Sequence, residues 1–153
     1  MPPRVWLATP DEAERVAGLL ADFRTWYGKD WPSDNAFLAA VERLVEQPAA
    51  TEFLLGAPHD DAPPAAVAQL RYRFSVWTAS DDCWLEDLFV AEAARGSGLG
   101  RAMVEAAVER ARTRGCRRIE LDVDDANTPA RALYESLGFA EKNGGNALMQ
   151  RRL

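Results

Sequence analysis

A chain of 153 residues, 48% hydrophobic and 27% charged, has the composition of one ordinary globular domain and is short for two. Its 18 Lys and Arg against 24 Asp and Glu leave a formal net charge of −6, which disfavours a general nucleic-acid binder and suits a cationic small partner. A single histidine, His59, with only Cys83 and Cys116, argues against a disulfide framework, Ser-His-Asp or Cys-His hydrolysis, and a metal site built from several His and Cys ligands.

No apolar run reaches membrane-spanning length, and Met-Pro-Pro-Arg at the N-terminus lacks a signal-peptide pattern. The expectation is a cytoplasmic protein with no membrane partner. Val5 to Ala8 reads as a strand. Thr9-Pro10-Asp11-Glu12 then starts a helix, with Thr9 as N-cap, Pro10 at the first helical position and Glu12 closing a capping box. That helix is expected to end near Phe23. An aromatic-rich connection follows, Arg24 to Pro32, in which Trp26 and Tyr27 are candidates to wall a substrate cleft.

A second helix, capped by Ser33 or Asp34, is expected from Asn35 to Glu46, with Phe37, Leu38, Val41, Leu44 and Val45 at helical spacing. Thr51 to Leu55 is a strand. A polar loop, Gly56 to Pro64, holds His59 as an exposed bystander. Ala66 to Ser75 and Cys83 to Val90 read as an antiparallel pair. Alternation in the second of these puts Trp84, Glu86, Leu88 and Val90 on one face and Cys83, Leu85, Asp87 and Phe89 on the other. Acids inside such an apolar strand are costly unless they have partners or a chemical task.

Val90 runs into Ala-Glu-Ala-Ala-Arg95-Gly96-Ser97-Gly98-Leu99-Gly100-Arg101, and a helix expected from Gly98 to Arg114 opens there. A glycine-rich loop at a helix N-terminus is an anion cradle: its backbone N–H groups can converge on a phosphate, and the helix dipole adds to the attraction. The dinucleotide spacing G-x-G-x-x-G fails in both registers, because Arg101 and Met103 stand where the third glycine belongs. A Walker A loop fails for want of Lys-Ser or Lys-Thr after Gly100. Arg110, Arg112, Arg114, Arg117 and Arg118 read as a solvated helix end. Arg118 to Val123 alternates as a strand. Thr128 is expected to cap a short helix, Ala130 to Leu137. Phe139 onward and Ala147 to Arg151 are expected as terminal strands joined by a turn at Asn143-Gly144-Gly145-Asn146.

Arg95-x-x-Gly98-x-Gly100 between strand and helix resembles the signature of the GNAT superfamily of acyl-CoA N-acyltransferases. The resemblance extends from about Trp84 to Phe139, through Leu-Glu-Asp-Leu-Phe-Val before the loop and Asn127-Thr-Pro-Ala-Arg-Ala-Leu-Tyr134 after it. It implies one domain over residues 1–153 with an α/β (α+β) fold, a mixed, mostly antiparallel sheet flanked by helices. The implied order is strand, two helices, three strands, helix, strand, helix and two strands.

The resemblance further implies acetyl-CoA as cofactor, with no metal. The backbone of Phe89 and Val90 would pair with its pantetheine arm, and Arg95, Gly96, Ser97, Gly98, Leu99, Gly100 and Arg101 would hold its pyrophosphate. Asn127 would support it, and Tyr134, also in contact with the cofactor, would be the general acid. The implied activity is acetyl transfer to a small primary amine. Deprotonating an aliphatic ammonium of pKa about 10.4 at pH 7 costs roughly 4.6 kcal/mol, so a base is needed. Glu86 is the candidate, and its alternative role is a structural acid paired to an arginine.

Leu-Glu-Asp-Leu-Phe-Val is also similar to the corresponding stretch of the diamine acetyltransferases acting on spermidine, spermine or thialysine. On that likeness Glu86 and Asp87 would serve the acceptor amine. A protein or peptide N-acetyltransferase and a non-catalytic CoA-binding module are the alternatives. The family resemblance makes a homodimer plausible.

Overall fold

The computed structural model describes residues 2–142 and 148–153, in two compact units, Met1–Asp122 and Val123–Leu153. In the first unit, β1 (Arg4–Leu7) is followed by a 3₁₀ turn at Pro10–Glu12, α1 (Ala13–Trp26), α2 (Asp34–Val45), β2 (Thr51–Ala57), β3 (Ala66–Ser75) and β4 (Ser80–Val90). A second 3₁₀ turn at Glu92–Ala94 leads to α3 (Leu99–Thr113) and β5 (Ile119–Glu120). The strands form one sheet in chain order, antiparallel throughout except where β5 runs parallel to β4. This is the mixed, mostly antiparallel sheet that the sequence implies.

The Thr9–Glu12 capping box forms, with the Thr9 N–H donating to Glu12 Oε1 at 3.1 Å, but it starts a 3₁₀ turn and α1 proper begins at Ala13. α1 also runs on to Trp26, so Trp26 sits on a helix rather than in a loop. Both sheet faces are covered. Leu54, Ala68, Leu70, Cys83 and Leu85 pack with Leu99, Met103 and Ala107 of α3 on one face. Phe53, Leu55, Val67 and Phe89 pack with Val16, Ala17, Leu20 and Val41 of α1 and α2 on the other. At Gly56 the approach of α3 is so close that a Cβ would stand 2.6 Å from Met103 Sδ and 2.9 Å from Leu99 Cδ1. The start of α3 is thereby pinned to the sheet.

Of the arginines near the end of α3, expected as a solvated surface, Arg112 and Arg117 are exposed, whereas Arg110, Arg114 and Arg118 bind the sheet and its flanking loop. Arg110 grips the buried Glu52 through Nε at 2.8 Å and Nη2 at 2.6 Å, and the Tyr72 hydroxyl donates to the same carboxylate at 2.7 Å. Arg114 lies 3.7 Å over the Tyr72 ring and donates to the Pro48 and Ala49 carbonyls, while Arg118 pairs with Asp82 at 2.7 Å. His59, expected as exposed, is half-buried.

In the second unit, Asn127 rather than Thr128 caps α4 (Thr128–Ser136), accepting from the Ala130 N–H at 3.3 Å. The Asx side chain reaches N3 while Thr128 itself is already helical. The strand expected over Arg118 to Val123 is reduced to the two residues of β5. The terminal strands expected after Phe139 do not form among the described residues, where 139–142 and 148–153 carry no ladder. Leu148, Met149 and Leu153 are exposed there, and a strand with no packed face is marginal. The turn expected at Asn143 to Asn146 lies outside the described residues.

Candidate active site

The register of β4 decides which side chains meet. Gln69 pairs with Glu86 and Val67 with Phe89, so Asp87 and Leu88 together face Ala68. This is a β-bulge, and Asp87 adopts φ 52° within it. The expected alternation is therefore broken after Glu86. Leu88 and Val90 pack on the α3 face with Cys83 and Leu85, and Phe89 packs on the α1 and α2 face, the side to which Glu86 points.

The two acids are in different situations. Glu86 Oε1 accepts from Arg71 Nη1 at 3.2 Å, a pair that alternation alone did not reveal because Arg71 lies on the neighbouring strand. Its signal was the hairpin: folding β3 back on β4 sets Arg71 opposite Trp84, diagonal to Glu86. Among the described residues Asp87 has no such partner. The surrounding protein first, and the Glu86 charge second, push its carboxyl above the ordinary carboxylate value, although the residue keeps an exposed face.

β5 meets β4 only at Cys83 and Trp84, so among the described residues β4 has no strand neighbour on that side from Leu85 to Val90. Ala91 donates to the Ala65 carbonyl at 2.7 Å, and by alternation the Val90 amide and carbonyl turn to this open side. Phe89 is paired with Val67 on β3. The loop then rises through Arg95, whose Nε donates to the Val90 carbonyl at 3.0 Å, and Ser97, whose hydroxyl donates to the Ala94 carbonyl at 2.6 Å.

Gly96 and Gly98 take φ of 79° and 84°, and Gly98 is the N-cap of α3. A Cβ on Gly96 would meet nothing within 4 Å, so the space over the loop is open. The first helical bond is Ala102 N–H to Gly98 C=O at 3.1 Å, so the amides of Leu99 and Gly100 precede the ladder and point along the axis. Leu99 is buried and anchors the turn, and Arg101 lies 3.8 Å from Glu105.

Trp26 and Tyr27 stand at the end of α1 beside this strand. Phe23 stacks on Phe89 with ring centroids 5.1 Å apart, Trp26 lies 6.3 Å from Phe89, and Tyr27 meets Phe23 edge-on at 5.7 Å. The first unit thus brings Trp26, Tyr27, Glu86, Asp87, Phe89, Val90 and Arg95 to Arg101 into one region. Asn127 and Tyr134 belong to the second unit. There the Tyr134 ring packs 5.9 Å from Phe139, and burial raises its hydroxyl pKa above the ordinary phenolic value.

The acetyltransferase (GNAT) family model matches residues 16–139. The chain belongs to this family. A mycothiol acetyltransferase from Beutenbergia cavernae is 39% identical over 89 residues, covering 56% of this chain and 28% of that protein. A thialysine N-epsilon-acetyltransferase from Bos taurus is 35% identical over 86 residues, covering 56% of this chain and 51% of that one. The chain therefore spans about half or less of these two curated relatives. A crystal structure from Arthrobacter sp. FB24 that carries an acetyltransferase assignment superposes with TM-score 0.83 at 32% identity, over 100% of this chain and 96% of that one.

The GNAT cofactor can be tested against the residues present. An anionic phosphate group fits the open space over Gly96, the outward amides of the α3 N-terminus and the Arg95 and Arg101 charges. An extended amide-bearing arm fits the unpaired side of β4. Among the described residues no cluster of three His, Cys, Asp or Glu is placed to hold a metal, and no helix is long and apolar enough to cross a membrane.

Proposed function

We propose that the protein is an N-acetyltransferase that moves the acetyl group of acetyl-CoA directly to the primary amine of a small cationic molecule. The observation that carries this reading is the bulged, half-open strand β4, which runs past two carboxylates into a glycine loop and a bare helix N-terminus. Family membership supports it, and the family match running over residues 16–139 supports reading the chain as one domain.

Acetyl-CoA, when bound, supplies an acyl group activated as a thioester. The chain's own residues do the rest. The loop from Arg95 to Arg101 binds through its amides, and the Val90 amide on the open side of β4 orients the bound arm and is a donor for charge that develops on the acyl oxygen. Glu86 attracts the acceptor cation and takes its proton, directly or through water, with Asp87 as the neighbouring acid of raised proton affinity.

Arg71 on Glu86 illustrates the chemistry the position accepts, a guanidinium at 3.2 Å in an exposed pair that exchanges at little cost. Tyr134 keeps its proton through the neutral range and gives it to the leaving sulfur, a role carried by its place in the Asn127 to Phe139 stretch. Trp26 and Tyr27 wall the acceptor's carbon skeleton. The thialysine enzyme among the relatives supports a small amine acceptor. A thiol-release assay with acetyl-CoA tests the reading: turnover with polyamines, lysine analogues or other small cationic amines is expected, and turnover confined to peptide N-termini would refute it.

A further inference from the structure

Arg95 stands at the start of the glycine loop with an extended backbone, φ −70° and ψ 149°, and its side chain turns back from the loop toward the strand it has just left. Its Nε donates to the Val90 carbonyl at 3.0 Å, and its guanidinium carbon lies 4.7 Å from the Trp26 ring centroid and 5.9 Å from that of Phe89. Among the described residues its partners are a backbone carbonyl and two rings, not a carboxylate, so the guanidinium charge is held without being neutralised. Three pieces of chain thereby meet on one side chain: the end of α1, the end of β4 and the loop.

We infer that Arg95 is a positioning residue that latches the aromatic wall on α1 to the anion loop, so that Trp26, which is not part of the loop, sets how well the loop binds phosphate. Trp26 is half exposed, and the contact with Arg95 is what ties its ring to the far side of the site. Phe89 below is fixed by its stack on Phe23, so the latch closes onto a rigid floor. A cation over an exposed indole contributes about 0.5–1 kcal/mol, which corresponds to roughly a twofold to fivefold change in an equilibrium constant. The charge-assisted bond to the Val90 carbonyl adds to this on the loop side. The inference rests on the acetyl-CoA reading of the loop.

Calorimetric titration of coenzyme A into the full chain separates the possibilities. Trp26→Leu is expected to weaken coenzyme A binding about threefold, Arg95→Met about tenfold, and Trp26→Leu to add nothing in the Arg95→Met background. Trp26→Phe, which keeps a ring under the guanidinium, is expected to bind within about twofold of wild type, and it carries the test if Trp26→Leu melts early. Weakening by Arg95→Met with no effect of Trp26→Leu would overturn the latch in favour of direct phosphate contact, as would simple addition of the two effects. A wild-type chain that binds no coenzyme A would overturn the cofactor reading and the latch with it.

Discussion

Glu86 and Asp87 are neighbours in sequence, yet the bulge gives them opposite circumstances: Glu86 is held by Arg71 at 3.2 Å, whereas Asp87, at φ 52°, is left with a raised pKa and Glu86 beside it. A carboxylate already engaged by a cation and an acid of raised proton affinity thus sit on consecutive residues of β4.

Arg71 occupies the place on Glu86 assigned to the acceptor's cation. With side chains 58% and 31% exposed, the pair contributes little to stability, about 0–1 kcal/mol. Arg71→Gln is expected to leave the melting temperature nearly unchanged and to lower the acceptor KM several-fold with little effect on kcat. A rise in KM would show that Arg71 itself holds the acceptor.

Asp87 carries the opposite stability sign from most native carboxylates. Because its folded pKa is raised, the native state binds the proton more tightly, and stability is lost as pH rises from the unfolded value through the folded one. Asp87→Asn removes that loss and keeps a residue type that tolerates positive φ. The variant is expected to melt higher than wild type at pH 7, with the gap closing toward pH 3, while acetyl transfer falls. Denaturation curves at the two pH values check the sign.

Glu52 shows the ordinary case. Burial favours its neutral form, but the Arg110 and Tyr72 hydrogen bonds and the charges of Arg110 and Arg114 outweigh it and hold the carboxyl below 4.5. Its contribution is therefore present above the unfolded pKa and lost as pH falls through the lower folded value. Glu52→Gln is expected to cost about 3 kcal/mol at pH 7, from the buried pair broken, and progressively less in acid. Urea titrations at pH 7 and near pH 3 measure the difference.

Tyr134→Phe and Gly98→Val separate chemistry from binding. Loss of the phenolic proton is expected to lower kcat by about 100-fold with coenzyme A affinity unchanged. A β-branched residue at φ 84° strains the α3 N-cap on which the anion loop turns, so Gly98→Val is expected to act mainly on cofactor affinity. The reverse pattern, measured by steady-state kinetics and calorimetry, would contradict both roles.

Much of this was legible in the residues because local chemistry specified it. Ala66 to Ser75 forms β3 over its expected span, Thr9 and Glu12 make their capping box, and Gly96 and Gly98 sit where positive φ is needed. What escaped was set between elements. The bulge at Asp87 is a property of register, and no period-2 reading of Cys83 to Val90 contains it. The Glu52 clamp joins residues 58 apart in sequence, so Arg110 and Arg114 looked like surface charge until the helix lay on the sheet. Arg95 was legible as a charge beside a phosphate loop, but not as a side chain folded back onto Trp26.

Release of thiol from acetyl-CoA, followed over a panel of polyamines, amino acids, aminoglycosides and peptides, tests the assignment most directly. Burial first pushes Cys83 up to about 12 and also raises Cys116, so neither thiol competes strongly for the detecting reagent near neutral pH. Amine-dependent release with a small cationic primary amine is the expected result. Tight coenzyme A binding by calorimetry with no release for any amine would contradict it and leave the protein a cofactor-binding module.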